Sequence, residues 1–396
     1  MSIETTVAAA SHLLANRFGG AQELSQPEDL GGDGPALVLR VRVAPNPFLQ
    51  ERTVVVKQLP PLSDDAGDSG AAMIREVVAY QYTNTLAEHL RPGPLLLAHD
   101  LDQRLMILSD AGDGVSFTDV LTLGDAEARR SGLRKLGRAL GTMHAATSSG
   151  EASFETLHRR QCMKHGVDPD GELSRDVDVA GLASTGIRLL EDDGVPVNPT
   201  VRAFAEDSSS RHGHQHLRAF TPFDLTPDNI MLTERVVFLD YEWAGFRDVA
   251  FDVASVIAGF PQDTTTPLPD EGDVTEFIAA WRSEVEAAWP AVRDDAVLAG
   301  SVMTALIGWA LMGLSLLHYG TLDVRRAGQA GPGVTRSDGS HISTMPQEHL
   351  RDLATTAEAI RRFAGAMDDP RFPAVGEFAG ALLERLARLG ATPQVR

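Results

Sequence analysis

The chain opens with apolar residues at helical spacing, Val7, Leu13, Leu14 and Phe18, which predicts a helix over residues 1–18. A turn cluster, Asp29-Leu30-Gly31-Gly32-Asp33-Gly34-Pro35, separates it from Ala36–Val43, where apolar residues and arginines alternate as along a strand. Asn46-Pro47 marks a loop ahead of a second strand, Thr53-Val54-Val55-Val56-Lys57. The apolar set Val77, Tyr80 and Leu86 predicts a helix from about Ala71 to Leu90, which carries Glu76 and is ended by Pro92-Gly93-Pro94. Leu95–Ala98 and Arg104–Leu108 read as two more strands. The first 110 residues therefore predict an antiparallel sheet decorated with helices.

After Gly114 the period becomes helical. Ala126–Ala146 places Leu133, Leu136, Leu140 and Met143 on one face. Residues 147–219 mix loops with short helices, among them Gly186–Leu190 and Pro199–Ala205. Helices are expected near 271–289, 296–317, 346–367 and 374–389, and Gly320–Met345, rich in Gly and Ser, reads as a mobile loop. The expected fold class is α+β and two-lobed: a small antiparallel-sheet lobe over 1–110 and a large, mainly helical lobe over 111–396.

Composition narrows the setting. A chain of 396 residues suits two lobes better than one small core. The single cysteine, Cys162, excludes an internal disulfide framework and a multi-cysteine zinc site, and fits a reducing cytoplasm. Met-Ser-Ile-Glu-Thr-Thr has no basic region before an apolar run, so no secretory signal is expected. A formal net charge of −20 disfavours a nucleic-acid partner and would attract a cationic substrate, although the acidity common among soluble proteins is the better account of it. Ala296–Leu317 carries no charge and is long enough to cross a bilayer. Its Ala, Gly and Ser content, the preceding Asp294-Asp295 and the lack of a second span favour a buried core helix over a membrane.

The chemistry concentrates in 220–254. Asp224 and Asn229 follow an Asp-x4-Asn spacing, and Ile230-Met231-Leu232 and Val236-Val237-Phe238-Leu239 read as two short strands leading to Asp240. A carboxylate that aligns an attacking hydroxyl, followed by an amide and a second carboxylate that hold magnesium against phosphates, is what phosphoryl transfer requires. Upstream, Lys57 on a strand and Glu76 on a helix follow the order of a phosphate-binding lysine and its orienting glutamate. The bland alternatives are a turn-capping Asp224, a turn residue at Asn229, a solvated Lys57 and an exposed Glu76. His212, His214 and His216 alternate after Ser208-Ser209-Ser210, which suits a surface loop better than a metal site.

In these motifs the chain resembles the aminoglycoside phosphotransferase and choline kinase family, whose members share the protein-kinase-like bilobal fold. The resemblance runs from the N-terminal lobe to about residue 260. It implies that Leu108-Ser109-Asp110-Ala111 is an interlobe linker, with Ser109 and Ala111 bonding the nucleobase. It further implies that Lys57 and Glu76 set the phosphates of ATP or GTP, Asn229 and Asp240 hold Mg2+, and Asp224 is the catalytic base. Asp252 is expected to bond the catalytic loop and His144 to be a packed core histidine. Glu242, with Tyr241 and Trp243, suits an amine or quaternary ammonium acceptor, although packing explains the aromatics as well. Pro222-Phe223 stands where the family has His-Gly or His-Asn, and the Gly31–Pro35 turn is a poor phosphate cradle, since Asp33 repels phosphate and Pro35 lacks an N–H. These departures motivate an alternative, a kinase-like binding or regulatory protein with impaired catalysis. The first expectation remains a cytoplasmic kinase acting on a hydroxyl of a small, cationic molecule, with no nucleic-acid or membrane partner.

Overall fold

The computed structural model describes residues 2–31, 35–62, 70–169, 179–211, 217–261, 263, 265–319 and 342–395. His212, His214 and His216, the middle of the Gly31–Pro35 turn and residues 320–341 of the Gly/Ser-rich stretch lie outside the described residues. The chain folds as two compact units. One comprises Met1–Gly114, Gly150–Ser174 and Met231–Gly245; the other comprises Val115–Ser149, Arg175–Ile230 and Phe246–Arg396.

The first unit is built on a five-stranded antiparallel sheet of β1 (Leu24–Asp29), β2 (Leu37–Val43), β3 (Thr53–Gln58), β4 (Leu96–Asp100) and β5 (Leu105–Ser109), in the order β1-β2-β3-β5-β4. A first helix, α1 (Ile3–Phe18), starts at a capping box between Ser2 and Thr5. Its Ala10 and Leu14 pack with Leu39, Val41, Val54, Val56 and Ile107 in one buried cluster. Residues directly opposed across an antiparallel pair point to the same face, and successive residues to opposite faces. Val56 lies opposite Leu39 and Ile107 and so faces α1; Lys57, opposite Val38 and Met106, faces away from it. The covered face is sealed by hydrophobic burial, which leaves the other face to carry chemistry.

Two features differ from expectation. Strand β1 was not foreseen, because it is exposed along almost its whole length, contains Pro27 and is interrupted by a bulge between Ser25 and Glu28, so it carries no apolar alternation. The helix expected to reach Leu90 is α2 (Ala71–Thr83), followed by a separate turn at Glu88–Leu90. Asn84 ends it: its side chain donates to Leu96 O and accepts from Leu96 N, so the chain is tied to β4 instead of continuing the helix.

The second unit is mainly helical, with helices at Phe117–Thr122, Ala126–Thr147, Val179–Asp192, Pro199–Arg211, Ala250–Ile257, Glu271–Val285, Asp295–Tyr319, Gln347–Ala366 and Phe372–Arg388. The fold class is thus the expected one: an antiparallel sheet in the N-terminal part and a mostly helical C-terminal region. The segment read as long enough to cross a membrane is a helix with 89% of its most apolar window buried, and Val302, Leu306 and Met312 are wholly enclosed. Ala126–Thr147 packs on Glu271–Val285 at glycines. A Cβ at Gly137 would meet Phe277 O at 2.5 Å, and one at Gly141 would meet Trp281 O at 2.8 Å, so this helix pair approaches backbone to backbone.

Candidate functional site

Strand β3 and helix α2 bring Lys57 and Glu76 together in the first unit. Lys57 Nζ donates to Glu76 Oε1 at 2.8 Å and Oε2 at 3.0 Å, and to Asp240 Oδ1 at 3.0 Å. Glu76 is 1% exposed and Lys57 9%, so neither is the solvated surface residue its type suggests. A buried charge persists only when paired, and here one ammonium serves two carboxylates from segments far apart in sequence. Burial pushes the Glu76 carboxyl up to about 7; Lys57 opposes this, while Asp240 and Glu242 add to it. Burial also works against the Lys57 ammonium, but Glu76 and Asp240 outweigh it and hold its pKa above the ordinary lysine value.

Asp240 itself sits in the left-handed region at φ 54°, an uncommon conformation for a residue with a Cβ that aspartate tolerates better than most. The residue after it is enclosed. Tyr241 is wholly buried, its ring 4.6 Å from that of Tyr80, so of the two explanations for this aromatic, packing is the one realised. Glu242 is half-buried and near enough to raise the Glu76 pKa.

At the end of β5, Ser109 donates its backbone N–H to Leu95 O at 2.8 Å, and its Oγ accepts from Leu95 N at 2.9 Å. The linker that follows is held from β2 by an interaction the sequence reading missed. Arg40 Nε lies 2.9 Å from Asp110 Oδ2, and Nη2 donates to Asp110 Oδ1 at 3.2 Å and to Gly112 O at 3.3 Å. Arg40 is directly opposite Val55, two residues from Lys57 and therefore on the Lys57 face. The alternation of arginine with apolar residues along 36–43 was the available signal. Half-buried Ala111 lies between the two linker residues that Arg40 holds.

Asp224 and Asn229 belong to the second unit, and both are half-buried. Pro227–Asn229 forms a single 3-10 turn, and Asn229 Nδ2 donates to Thr226 Oγ1 at 3.1 Å, which leaves the amide oxygen as the atom suited to a cation. Immediately before Asp224, Phe223 stands at φ 68°. Its ring lies 4.6 Å from the Arg247 guanidinium carbon and stacks on Trp309, centroids 5.4 Å apart.

His144 is the packed core histidine expected, with no exposure. Asp252 corrects an expectation: it pairs with His144 Nε2 at 3.1 Å, and its Oδ1 has no hydrogen-bond partner among the described residues, so it does not bond the catalytic loop. Trp281 Nε1 completes the set by donating to His144 Nδ1 at 3.0 Å. The helix–helix approach at Gly137 and Gly141 makes this possible, because it brings Trp281 into reach.

Asp240 in the first unit offers a carboxylate and Asn229 in the second an amide oxygen, and each is by itself a hard donor of the kind magnesium takes. Among the described residues there is no group of three or more His, Cys, Asp or Glu arranged to hold a metal by themselves.

No family model matches the chain, and no curated protein matches it. Among the solved structures it is similar to are three described as small-molecule kinases. A choline kinase from Streptococcus pneumoniae shares 11% identity over 89% of this chain and 97% of that one, with a TM-score of 0.46. A macrolide 2'-phosphotransferase from Brachybacterium faecium shares 15% over 84% and 100%, with a TM-score of 0.42. A protein described as a fructosamine-3-kinase from Haemophilus somnus shares 10% over 96% and 99%, with a TM-score of 0.44. With TM-scores below 0.5, these likenesses leave the function to be argued from the chain's own residues.

Proposed function

We propose that the chain is a cytoplasmic small-molecule kinase that transfers the γ-phosphate of ATP or GTP to a hydroxyl of a small, cationic acceptor, such as an aminoglycoside-like antibiotic or an amino alcohol. The observation that carries this reading is the buried Lys57 ammonium shared by Glu76 and Asp240. An ammonium and a carboxylate are not enclosed for stability alone, since apolar residues of similar volume do as well or better. In the proposed enzyme Lys57 binds the nucleotide phosphates, and Glu76 orients it. Asn229 and Asp240 would hold Mg2+, which when bound neutralises charge on the phosphate oxygens. Asp224 accepts the proton of the attacking hydroxyl and aligns it in line with the phosphorus. Ser109 and Ala111 bond the nucleobase, and Glu242 offers an anionic partner to an acceptor amine. The net charge of −20 would draw in a cationic acceptor and disfavours a nucleic-acid partner, and the burial of the longest apolar helix supports a membrane-free setting.

The test is ADP or GDP release across a panel of choline, ethanolamine and aminoglycosides, with calorimetric titration of each nucleotide with and without magnesium. Magnesium-dependent nucleotide binding together with turnover on one acceptor is the expected result. Absence of magnesium-dependent nucleotide binding would favour a kinase-like binding or regulatory protein, whereas turnover with any acceptor would end that alternative.

A further inference from the structure

We propose that Phe223, gripped by Arg247 and Trp309, is a positioning residue that aims Asp224; this rests on the kinase reading above. The position before Asp224 demands a left-handed backbone, φ 68°, which glycine or asparagine adopts readily and a bulky aromatic does not. A phenylalanine that remains there must be held by its side chain. The holding groups are visible. The buried Arg247 guanidinium lies 4.6 Å from the ring centroid, and the Trp309 indole stacks on it at an interplanar angle of 24°. Each is anchored in turn: Trp309 Nε1 donates to Phe251 O at 2.8 Å, and Arg247 Nη1 to Thr221 Oγ1 at 3.5 Å.

The grip has a directional consequence. Asp224 follows a residue whose backbone has two well-separated wells, and relaxation of Phe223 to the extended well would swing the next side chain through a large angle. Cation–π and stacking contacts on the ring select one well. The loop is thus set from the side-chain layer beneath it, by a ring where the resembled family has a small residue. If the ring were only core filler, its loss would lower stability without changing the direction in which Asp224 points.

The experiment compares F223G, which permits the left-handed backbone but removes the ring, with F223Y, which keeps the ring. ADP release from Mg-ATP is measured with water, choline, ethanolamine and kanamycin as acceptors. For F223G kcat should fall at least about tenfold while KM for Mg-ATP stays within about twofold, and F223Y should stay near wild type. Equal kcat in F223G and wild type, or an equal loss in both variants, would overturn the proposal. Should F223G not fold, R247K, which keeps the charge but loses the planar cation over the ring, is judged by the same split. If the wild type releases no ADP, it is the kinase reading that fails. The grip is then decided by hydrogen exchange over 222–229, where faster exchange in F223G supports it and unchanged exchange overturns it.

Discussion

Lys57 Nζ lies 3.0 Å from Asp240 Oδ1, the same distance that separates it from Glu76 Oε2. The two carboxylates are not equivalent partners. Glu76 is enclosed, whereas the Asp240 side chain is 36% exposed, so the first contact is a buried pair and the second a half-solvated one. A magnesium–nucleotide complex would therefore compete with Lys57 only for the looser of the two.

That asymmetry separates two variants. Above about pH 7, where Glu76 is ionised, Lys57→Met strips a buried carboxylate of its cation and should destabilise the protein by about 3–5 kcal/mol. Asp240→Asn breaks a screened contact and should cost no more than about 1 kcal/mol, while abolishing magnesium-dependent nucleotide binding. Urea denaturation and calorimetry read the two effects separately, and equal destabilisation by both variants would contradict the asymmetry.

The raised Glu76 pKa sets a pH dependence. The folded state holds this proton up to about 7, the unfolded chain only to the ordinary glutamate value of 4.5. The contribution of Glu76 to stability is thus complete below the unfolded value and lost as pH rises through about 7. The denaturation midpoint of the wild type should fall relative to that of E76Q between those two pH values, in a chelating buffer. A constant difference across that window would show that Glu76 is not perturbed in this direction.

Asp224→Asn should lower kcat by about 10²–10⁴ on whichever acceptor turns over, leaving nucleotide affinity and melting temperature essentially unchanged. Retention of wild-type turnover would remove Asp224 from the chemistry.

The tautomer of His144 is also fixed by its partners. An indole N–H only donates, so Nδ1 accepts from Trp281 and Nε2 carries the proton directed at Asp252. Nitrogen-15 shifts of His144 should report the Nε2–H form. Trp281→Phe, which leaves buried Nδ1 without its donor, should cost about 1–3 kcal/mol. A protonated Nδ1 in the wild type would refute the assignment.

The legible part of the structure is the part written in short-range code. Lys57 follows from strand periodicity and Glu76 from a helical stretch, and both landed together. The mostly helical C-terminal part followed from the period of its apolar residues. What escaped depends on residues distant in sequence. The end of α2 is decided by Asn84 reaching Leu96, and the partner of Asp252 by a histidine on another helix. The grip on Phe223 comes from Arg247 and Trp309, neither near it in sequence. The resemblance to the phosphotransferase family marked Pro222-Phe223 as a departure, but only coordinates show which groups hold Phe223 in place.

The close approach of Ala126–Thr147 to Glu271–Val285 has a bearing on how the chain would look to selection. Any side chain at Gly137 or Gly141 meets a carbonyl oxygen of the neighbouring helix, which cannot step aside. In a saturation-mutagenesis survey both positions should score as intolerant as Asp224. A map of tolerance drawn without coordinates would thus enter two close-packed contact points of the scaffold among the residues of the active centre.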